Sequence, residues 1–370
     1  MSNQLMRVLH IDSEKTWRGG ENQMRLLIEK SQDQAEFHLA APEESVAIKR
    51  LAKFTKTFPV QFESQRLLHA AMSVARYVRQ HNIDLIDCQT SRAHNVGVVA
   101  KFFVPKVKVV VHRRVDYPLG TGFMSRYKYF NRRVDRYVPI SDAIAEILAD
   151  YGIPRSKITR IYSAVDSSIF TAIDKTQARR EVVQELGIDG TKPLLINVAY
   201  HTAQKGMHTL LQGLKLLTDR GVDYHCLLAG SGELTPELKT LSEELGIAPQ
   251  LSFLGIRKDV PKLLAAADIF TMPSNKEGLG TSLLDAIHAG CPVAASDVGG
   301  IPELVRHGET GMLSPVGDFQ CLADNLAKLI QDSEFAKDLL NKAQAHAEKH
   351  FSVTAMVSQN IALYRQLLGR

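Results

Sequence analysis

The sequence predicts an α/β protein of two domains, each built on a parallel sheet. Short apolar runs alternate with helix-length segments along the 370 residues, which is the pattern of repeated βα units. Glycine-containing loops follow several of the apolar runs, and in a parallel sheet ligands collect at these carboxyl ends of the strands. The length favours two domains rather than one.

The composition is that of an ordinary globular protein. Hydrophobic residues make up 45% of the chain and charged residues 23%. A run of about 18 apolar residues, as a membrane-spanning helix needs, is absent from the sequence. The first residues lead straight into a predicted strand, which leaves no room for a signal peptide. We therefore expect a cytoplasmic protein.

The four cysteines are scattered through the chain without the CxxC spacing of metal sites. They are Cys88, Cys226, Cys291 and Cys321. In a cytoplasmic protein such residues are expected to be buried, reduced thiols. The sequence thus predicts neither disulfides nor a metal centre.

Charge is unevenly distributed along the chain. Residues 1–170 contain 26 Lys and Arg against 17 Asp and Glu, whereas the remaining residues contain 19 against 23. A basic first half suggests an anionic partner, which could be a membrane face, a phosphorylated acceptor or nucleic acid. Nucleic acid is not expected, because the sequence shows no aromatic stacking platform or nucleic-acid motif.

The first half reads as a series of βα units. Strands are predicted at 5–11, 37–41, 58–62, 83–88, 107–111, 138–140 and 158–162, with helices from 21 and at 68–80, 93–103, 124–133 and 142–151. Gly19 and Gly20 precede the first helix, where a backbone without side chains can approach a phosphate. The segment 124–133 mixes aromatic and basic residues, which fits either an anionic membrane surface or a charged solvent face over a core stripe.

His112 ends the predicted strand 107–111. A single His after a strand is usually structural, but this one lies where a parallel sheet collects ligands. Arg113 and Arg114 follow it directly. These two guanidinium groups could bind a phosphate in a bidentate manner or lie on a solvated surface.

The second half is predicted to contain another parallel sheet, after a polar linker with one helix at 167–191. Strands are predicted at 193–199, 224–229, 251–255, 269–272 and 292–296, and helices at 281–290, 323–330, 335–351 and 355–368. The helix 281–290 should begin with Thr281 or Ser282 as its N-cap and end at Gly290. Its free N–H groups, next to Gly278 and Gly280, suit a phosphate.

Two acids flank this helix start, Glu277 in the preceding loop and Asp285 about one turn inside the helix. Carboxylates are poor phosphate ligands but good acceptors for sugar hydroxyls. The stretch therefore suits a molecule that carries both sugar hydroxyls and phosphate. The same acids also fit an ordinary βαβ turn, where they would simply favour the positive end of the helix.

Around these acids the sequence resembles a known family. Glu277, seven further residues and Asp285 are similar to the E-x7-E signature of retaining glycosyltransferases of the family 4 type, the group 1 glycosyltransferases. The stretches 285–293, 299–305 and 308–311 follow the running pattern of the same family. The second acid departs from it, because Asp285 is one methylene shorter than the usual Glu. Its contact with a ribose hydroxyl would be longer or water-mediated.

The resemblance implies the GT-B fold, in which two Rossmann-like domains face each other across a cleft. It implies an acceptor-side domain at 1–172, a nucleotide-sugar-binding domain at 173–354, and a C-terminal helix at 355–370 that crosses back to the first domain. A cleft of this kind closes by hinge motion.

The resemblance also implies roles for individual residues. Glu277 would hold hydroxyls of the donor sugar, Asp285 the ribose and Lys205 the diphosphate, with His112 against the donor sugar. We thus expect three catalytic residues, His112, Lys205 and Glu277. The expected donor-binding residues come from the glycine-rich loops and the helix start: Gly19, Gly20, Gly230, Arg257, Gly278, Leu279, Gly280, Thr281, Ser282 and Asp285.

A second departure from the family concerns the phosphate-binding cations. The family usually has an Arg five residues before the Lys that corresponds to Lys205, and this chain has Tyr200 there, followed by His201. His201, or Arg257 from the loop after strand 251–255, is a candidate replacement. The sequence leaves open how the leaving diphosphate is stabilised.

The resemblance implies a retaining, metal-independent transferase that moves a sugar from a UDP- or GDP-linked donor to a glycan acceptor. Lipid-linked acceptors such as lipopolysaccharide are one candidate, and the basic first half would allow peripheral contact with the inner face of the membrane. No cofactor other than the donor is expected. Two alternatives remain, a sugar-nucleotide 2-epimerase of the same fold and a nucleotide-sugar-binding protein with weak activity. The base, the sugar, the acceptor and the oligomeric state do not follow from the sequence.

Overall fold

A computed structural model describes residues 5–120 and 122–370. The chain divides into two compact units. The first unit contains the described residues up to Ala164 together with Val353–Arg370, and the second is Val165–Ser352. The boundaries expected from the sequence, 172/173 and 354/355, lie eight and two residues further along the chain.

The first unit is built on a six-stranded sheet whose paired strands are all parallel, in the order β3-β2-β1-β4-β5-β6. Its strands are β1 (Met6–Ile11), β2 (Ala35–Ala41), β3 (Lys56–Pro59), β4 (Leu85–Cys88), β5 (Lys108–Arg113) and β6 (Arg136–Pro139). Its helices are α1 (Gly19–Glu29), α2 (Val46–Leu51), α3 (Leu67–His81), α4 (Ser91–Phe103), α5 (Phe123–Tyr129) and α6 (Asp142–Asp150). This strand order reverses at β1 and β4, as in doubly wound folds that bind ligands beyond the carboxyl ends of their strands.

The second unit repeats the plan with a six-stranded parallel sheet in the order β12-β11-β10-β7-β8-β9. Its strands are β7 (Leu194–Val198), β8 (His225–Ala229), β9 (Leu251–Gly255), β10 (Ile269–Met272), β11 (Val293–Ser296) and β12 (Met312–Ser314). Its helices are α7 (Ser168–Thr171), α8 (Lys175–Leu186), α9 (Met207–Asp219), α10 (Thr235–Glu244), α11 (Val260–Ala266), α12 (Thr281–Ala289), α13 (Ile301–Leu304), α14 (Phe319–Gln331) and α15 (Ser333–His350).

The final helix, α16 (Val353–Leu368), belongs to the first unit, as the crossing helix of the predicted fold requires. Met356, Ile361 and Tyr364 are buried in the same apolar cluster as α1 and one face of the first sheet. The opposite face packs against α3 and α4. Both faces of the first sheet are therefore covered, as expected for a parallel sheet.

Two predicted elements of the first unit are wrong. The helix 124–133 ends at Tyr129, because the Asn131 side chain accepts a hydrogen bond from the backbone N–H of Arg133 at 3.0 Å and forms a turn. The segment 158–162 is not a strand of the sheet and makes only an isolated bridge to β6. Thr159 and Ile161 donate to the carbonyls of Tyr137 and Pro139 at 2.9 and 3.0 Å, but Pro139 has no N–H to donate in return, so no regular strand pairing forms.

The predicted linker 167–191 is also wrong, because this stretch is part of the second unit. It contains two helices rather than one, α7 and α8. Ala178 and Val182 of α8 are buried, and Arg179 donates to the Asp268 carboxylate at 2.7 Å. The polar residues of α8 therefore lie on the outer face of a helix whose apolar residues pack inward.

Among the described residues, no helix combines the length and apolar character needed to cross a bilayer. Helix α5, at the start of the segment predicted to suit a membrane surface, is short, and the side chains of Phe123, Met124 and Tyr127 lie outside what the structure describes. The Lys128 ammonium of this helix donates to the backbone carbonyl of Ser91 at 2.8 Å. Contact of this region with a membrane stays a prediction.

Replacing Gly97 with Ala should show how tightly α4 packs on the first sheet. A Cβ at this position would lie 2.4 Å from the Cys88 Sγ, so G97A should lower the free energy of unfolding by about 1–3 kcal/mol. In a C88A background the sulfur is absent and the same substitution should cost much less. Urea unfolding of the wild type, G97A, C88A and the double variant gives the cost of G97A with and without the sulfur. Equal costs in the two backgrounds would contradict the clash.

Candidate functional site

Lys205 and Glu277 meet at the carboxyl edge of the second sheet. Lys205 ends the short turn Ala203–Lys205 after β7, and Glu277 lies in the loop after β10. The Lys205 Nζ is 2.5 Å from the Glu277 Oε2, and the two side chains are 21% and 14% exposed. The structure thus brings together two predicted catalytic residues from neighbouring strands, as an ion pair within reach of solvent.

Two glycines fix the loops that carry this pair. Gly206, directly after Lys205, has a φ of +62°, and a Cβ there would lie 1.7 Å from the carbonyl oxygen of Pro273. Gly299, in the loop after β11, has a φ of +57°, and a Cβ there would lie 1.8 Å from the carbonyl oxygen of Glu277. Only glycine fits both this conformation and this spacing. The main chain at Glu277 is therefore held between neighbouring loops.

The N-cap of helix α12 lies one residue before Thr281, the first of the two predicted N-cap residues. Gly280 is the N-cap, in a left-handed conformation with a φ of +84°, and neither Thr281 nor Ser282 takes that place. No side-chain oxygen caps this end. Its N–H groups therefore remain candidates for binding an anion.

The residues directly before α12, Gly278, Leu279 and Gly280, are buried. The Leu279 side chain is 1% exposed in the core. Leu279 can therefore contact a donor only through its main chain. Its predicted role in donor binding is limited to that.

Asp285 lies about one turn inside α12 and is partly buried. Burial raises the pKa of its carboxyl group to about 7. Within the described part of the chain, this carboxylate has no hydrogen-bond or ion-pair partner. Its hydrogen-bonding capacity is therefore available to a ligand, which is what a hydroxyl-binding residue needs.

Arg257 is already engaged by two carboxylates. Its guanidinium donates to both oxygens of Asp259 at 2.7 Å and to both oxygens of Glu185 in α8, at 2.5 and 3.2 Å. Hydrogen bonds to Asp259 and Glu185 raise its pKa. The predicted role of Arg257 in donor binding would require these contacts to break, so the geometry does not favour it.

His201 does not supply the missing cation either. Its side chain is buried, its Nδ1 lies 2.9 Å from the Thr235 hydroxyl, and burial lowers its pKa. The imidazole is thus neutral at ordinary pH and holds the loop together. Tyr200, at the expected Arg position, is 58% exposed. Lys205 remains the cation that lies beside Glu277.

Gly230 closes the loop after β8. Its N–H donates to the carbonyl of Gly255 at 2.8 Å, and a Cβ there would lie 1.8 Å from the carbonyl oxygen of Ala199. This glycine joins the ends of β7, β8 and β9. Its predicted contact with the nucleotide stays a prediction.

In the first unit, His112 lies inside β5 rather than after it. Its Nε2 is 3.2 Å from the Oδ1 of Asp87 in β4, a fully buried carboxylate that the sequence analysis missed. His10 in β1 and Tyr364 in α16 also contact Asp87 and were missed. The available signal was an acid in an otherwise apolar strand, a pattern that is costly unless the acid is paired.

Gly19 and Gly20 form the first turn of α1 instead of the preceding loop. The carboxylate of Glu21 accepts a hydrogen bond from the backbone N–H of Arg18 at 2.6 Å, which caps this end.

Gly20 packs beside Arg114, whose guanidinium donates to the Gln89 side chain at 2.7 Å. A cavity of about 20 Å³, the size of one water molecule, lies between Arg114, Gln89 and His112.

Among the described residues, no group of three or more His, Cys, Asp or Glu side chains is arranged so that it could hold a metal ion. Whether the reaction needs a metal stays a matter for experiment.

Two doubly wound units with parallel sheets, one of which carries an acid–cation pair beside a helix start, are the arrangement expected of a glycosyltransferase of the GT-B type. Residues 17–169 match the model of the glycosyltransferase family 4 domain, and residues 178–346 match that of the glycosyl transferases group 1. The chain belongs to these glycosyltransferases, with the family 4 domain first and the group 1 domain second.

Several glycosyltransferases and related synthases are similar to this chain in sequence. N-acetyl-alpha-D-glucosaminyl L-malate synthase of Bacillus anthracis is 27% identical over 81% of this chain and 79% of its own length. Lipopolysaccharide core biosynthesis glycosyltransferase LpsE of Rhizobium meliloti is 28% identical over 70% of this chain and 69% of its own length. Matches to other relatives span 54% to 60% of those proteins.

The fold matches solved GT-B structures over nearly the whole chain. Anabaena HepE in complex with UDP and glucose superimposes with a TM-score of 0.84, at 23% identity, covering 98% of this chain and 100% of that one. At this identity the likeness shows the fold alone.

Replacing Gly299 with Ala should move the Glu277 loop and weaken donor binding. The new Cβ would overlap the Glu277 carbonyl oxygen, and displacing a binding group by about 1 Å can cost about a hundredfold in activity. Gly308 is a matched control, because it has a similar φ of +70° but open space around a Cβ. Calorimetric titration of G299A and G308A with nucleotide sugars measures the difference. Equal loss in both variants would mean that backbone strain alone explains it.

Asp285 should make the protein less stable as pH rises. Its folded-state pKa of about 7 lies above the ordinary value of 3.8, so between these values the folded state holds more protons and the free energy of unfolding falls with increasing pH. Asp285→Asn removes this effect. The variant should be more stable than the wild type at about pH 8, and similar to it at about pH 4. Thermal unfolding across this range measures the gap, and a gap that does not widen would contradict the raised pKa.

Proposed function

We propose that this protein transfers a sugar from a nucleotide-diphosphate donor to a glycan acceptor and retains the anomeric configuration. The observation that carries the proposal is the ion pair of Lys205 with Glu277, beside the start of α12, which no side chain caps, and the Asp285 carboxylate, which has no partner among the residues that the structure describes. A sugar nucleotide carries an anionic diphosphate and two sets of hydroxyl donors. This cation, these N–H groups and these two acids complement that pattern.

Donor binding would divide the Lys205–Glu277 pair. The Lys205 ammonium would turn to the diphosphate and the Glu277 carboxylate would accept hydrogen bonds from the sugar hydroxyls. With the N–H groups of α12, Lys205 would stabilise charge that develops on the leaving diphosphate. Asp285 would bind the ribose, through a longer or water-mediated contact because its side chain is short.

Retention is proposed to follow from attack on the same face as the leaving group. The acceptor oxygen forms a bond to the anomeric carbon while the bond from that carbon to the phosphate oxygen breaks, and the acceptor proton passes to the departing diphosphate. In this proposal the Glu277 carboxylate accepts hydrogen bonds from the sugar hydroxyls and does not act as a covalent nucleophile. The proposal also includes a contact between His112 and the donor sugar.

The donor is proposed to be UDP- or GDP-linked and the reaction to need no metal. HepE is described in complex with UDP and glucose, which supports a UDP-linked donor. LpsE is named for lipopolysaccharide core biosynthesis, which supports a cell-envelope acceptor. The excess of Lys and Arg in residues 1–170 is compatible with a cytoplasmic protein that reaches an anionic, lipid-linked acceptor at the membrane surface.

Replacing Glu277 with Gln should separate the binding of nucleotide from the binding of sugar. Without the carboxylate, Lys205 is no longer neutralised, so UDP or GDP alone should bind as tightly as before or more tightly. The extra affinity of the sugar nucleotide should be lost, and transfer should fall by about a hundredfold or more. Lys205→Met should instead weaken nucleotide and sugar nucleotide alike.

The measurements are calorimetric titration with UDP, GDP and a panel of their sugars, and product analysis with and without a glycan acceptor. Glu309→Gln is the matched control, because it breaks an exposed pair with Arg306 that lies outside this site. Unchanged transfer by E277Q would overturn the assigned role. An altered sugar nucleotide formed without any acceptor would indicate an epimerase, and tight binding without any product would indicate a binding protein.

A further inference from the structure

Three polar residues interrupt an apolar face of the first sheet. Val8, Leu85 and Val110 lie on the face that α1 and α16 cover. Because side chains alternate along a strand, His10, Asp87 and His112 lie on the same face, one step nearer the carboxyl edge. His10 and Asp87 are direct partners in the pairing of β1 with β4. The opposite face at this level is apolar, with Ile11, Cys88 and Val111 buried.

Asp87 is the centre of this cluster. Its carboxylate is fully buried, with the His112 Nε2 at 3.2 Å from Oδ1 and the His10 Nδ1 at 3.3 Å from Oδ2. The Tyr364 hydroxyl, from α16, donates a hydrogen bond to Oδ2. A helix that is 277 residues away in sequence thus contacts the carboxylate that faces His112.

Charged and titratable groups surround His112 on several elements. Asp87 faces it from β4, His10 from β1 and Arg114 from the end of β5. Burial lowers the pKa of His112, and the Asp87 carboxylate opposes that effect. Burial also raises the pKa of Asp87, but His112 and His10 outweigh it and hold that pKa well below its usual value. The carboxylate is therefore ionised beside His112.

We propose that Asp87 and Tyr364 are positioning residues for His112, and that α16 is thereby part of the active site. This inference rests on the proposed role of His112 in sugar transfer. Asp87 contacts the Nε2 edge of the imidazole, which leaves Nδ1 without a partner among the described residues. Since the His112 side chain is 5% exposed, Nδ1 is the ring atom that we assign to a substrate hydroxyl. Tyr364 holds the carboxylate in place and limits how strongly its charge acts on His112.

A purely structural cluster would gain little from a buried charge. Isolated buried carboxylates are costly, and apolar replacements of buried ion pairs are often as stable as the pairs themselves. The equivalent level on the other face of the same sheet is filled by apolar side chains. The polar set lies only where the predicted catalytic His112 lies, at the edge where ligands of parallel sheets bind.

Substitutions of the two positioning residues should shift the pKa of His112 in opposite directions. Asp87→Asn removes the negative charge that favours the imidazolium, so the pKa of His112 should fall by about one unit or more. Tyr364→Phe removes a hydrogen bond that spreads the carboxylate charge, so the pKa of His112 should rise. A loss of packing alone would not give shifts of opposite sign.

The test is an NMR titration of the His112 imidazole in the full-length chain, with the His112→Gln spectrum used for assignment. Tyr224→Phe is the matched control, because Tyr224 is equally buried and donates its hydroxyl to a backbone carbonyl, that of Leu214 at 2.9 Å, in the second unit. Y224F should leave the pKa of His112 unchanged. The low-pH limb of the transfer rate should move in the same direction as this pKa in D87N and in Y364F.

The titration is independent of activity, so its result is separate from the fate of the proposed function. Opposite shifts in D87N and Y364F, with lowered kcat and little change in KM for the donor, would support the inference. Shifts of the same sign, or none, would overturn it even if the wild type transfers sugar. Normal sugar transfer by the H112Q variant would overturn the role of His112 and with it the inference.

Discussion

The parallel direction of the strands is the constraint on which both sites depend. Within each unit, the paired strands all run the same way, so the loops that follow them emerge at a single edge. Residues that are far apart in sequence then become neighbours. Lys205 follows β7 and Glu277 follows β10, and these two strands are adjacent in the second sheet. The same geometry brings His10, Asp87 and His112 together from three adjacent strands of the first sheet.

Parallel strands bring loops together, but close glycine contacts fix their separation. Gly206 and Gly299 place the backbone of one loop directly against a carbonyl oxygen of another, at distances that any side chain would prevent. The Glu277 loop is also held by a hydrogen bond from the N–H of Gly300 to the Glu277 carbonyl at 3.2 Å. Main chain that is fixed in this way can hold charged side chains in place without burying them, so they remain available to a ligand.

The positions of the helices and strands were largely predictable from the sequence. The side-chain contacts between residues that are distant in sequence were not. Strands 251–255 and 269–272 have the predicted bounds, because short apolar runs between glycine or polar loops allow few alternatives. Arg257 looked like a free cation because its partner Glu185 lies on α8, in a stretch that reads as a linker. The contact of Asp87 with Tyr364 was equally out of reach, since local patterns carry no information on which distant helix covers a sheet.

The two units handle carboxylate charge in different ways, and this difference bears on how each site works. In the first unit Asp87 is fully buried and contacts His10, His112 and Tyr364, so its charge acts on fixed neighbours. In the second unit Glu277 remains partly exposed with one cation, so its pairing can exchange with a ligand. The pair of Lys205 with Glu277 carries no net charge. Neither of the two candidate replacements for the missing Arg adds a positive charge to it, because His201 is neutral and Arg257 is engaged elsewhere. Under the proposed function, such a site would attract a diphosphate weakly by itself, and hydroxyls bound by Glu277 and Asp285 would have to supply a larger share of the affinity. The absent Arg and the engaged Lys205 thus favour selection by the sugar over selection by the phosphate.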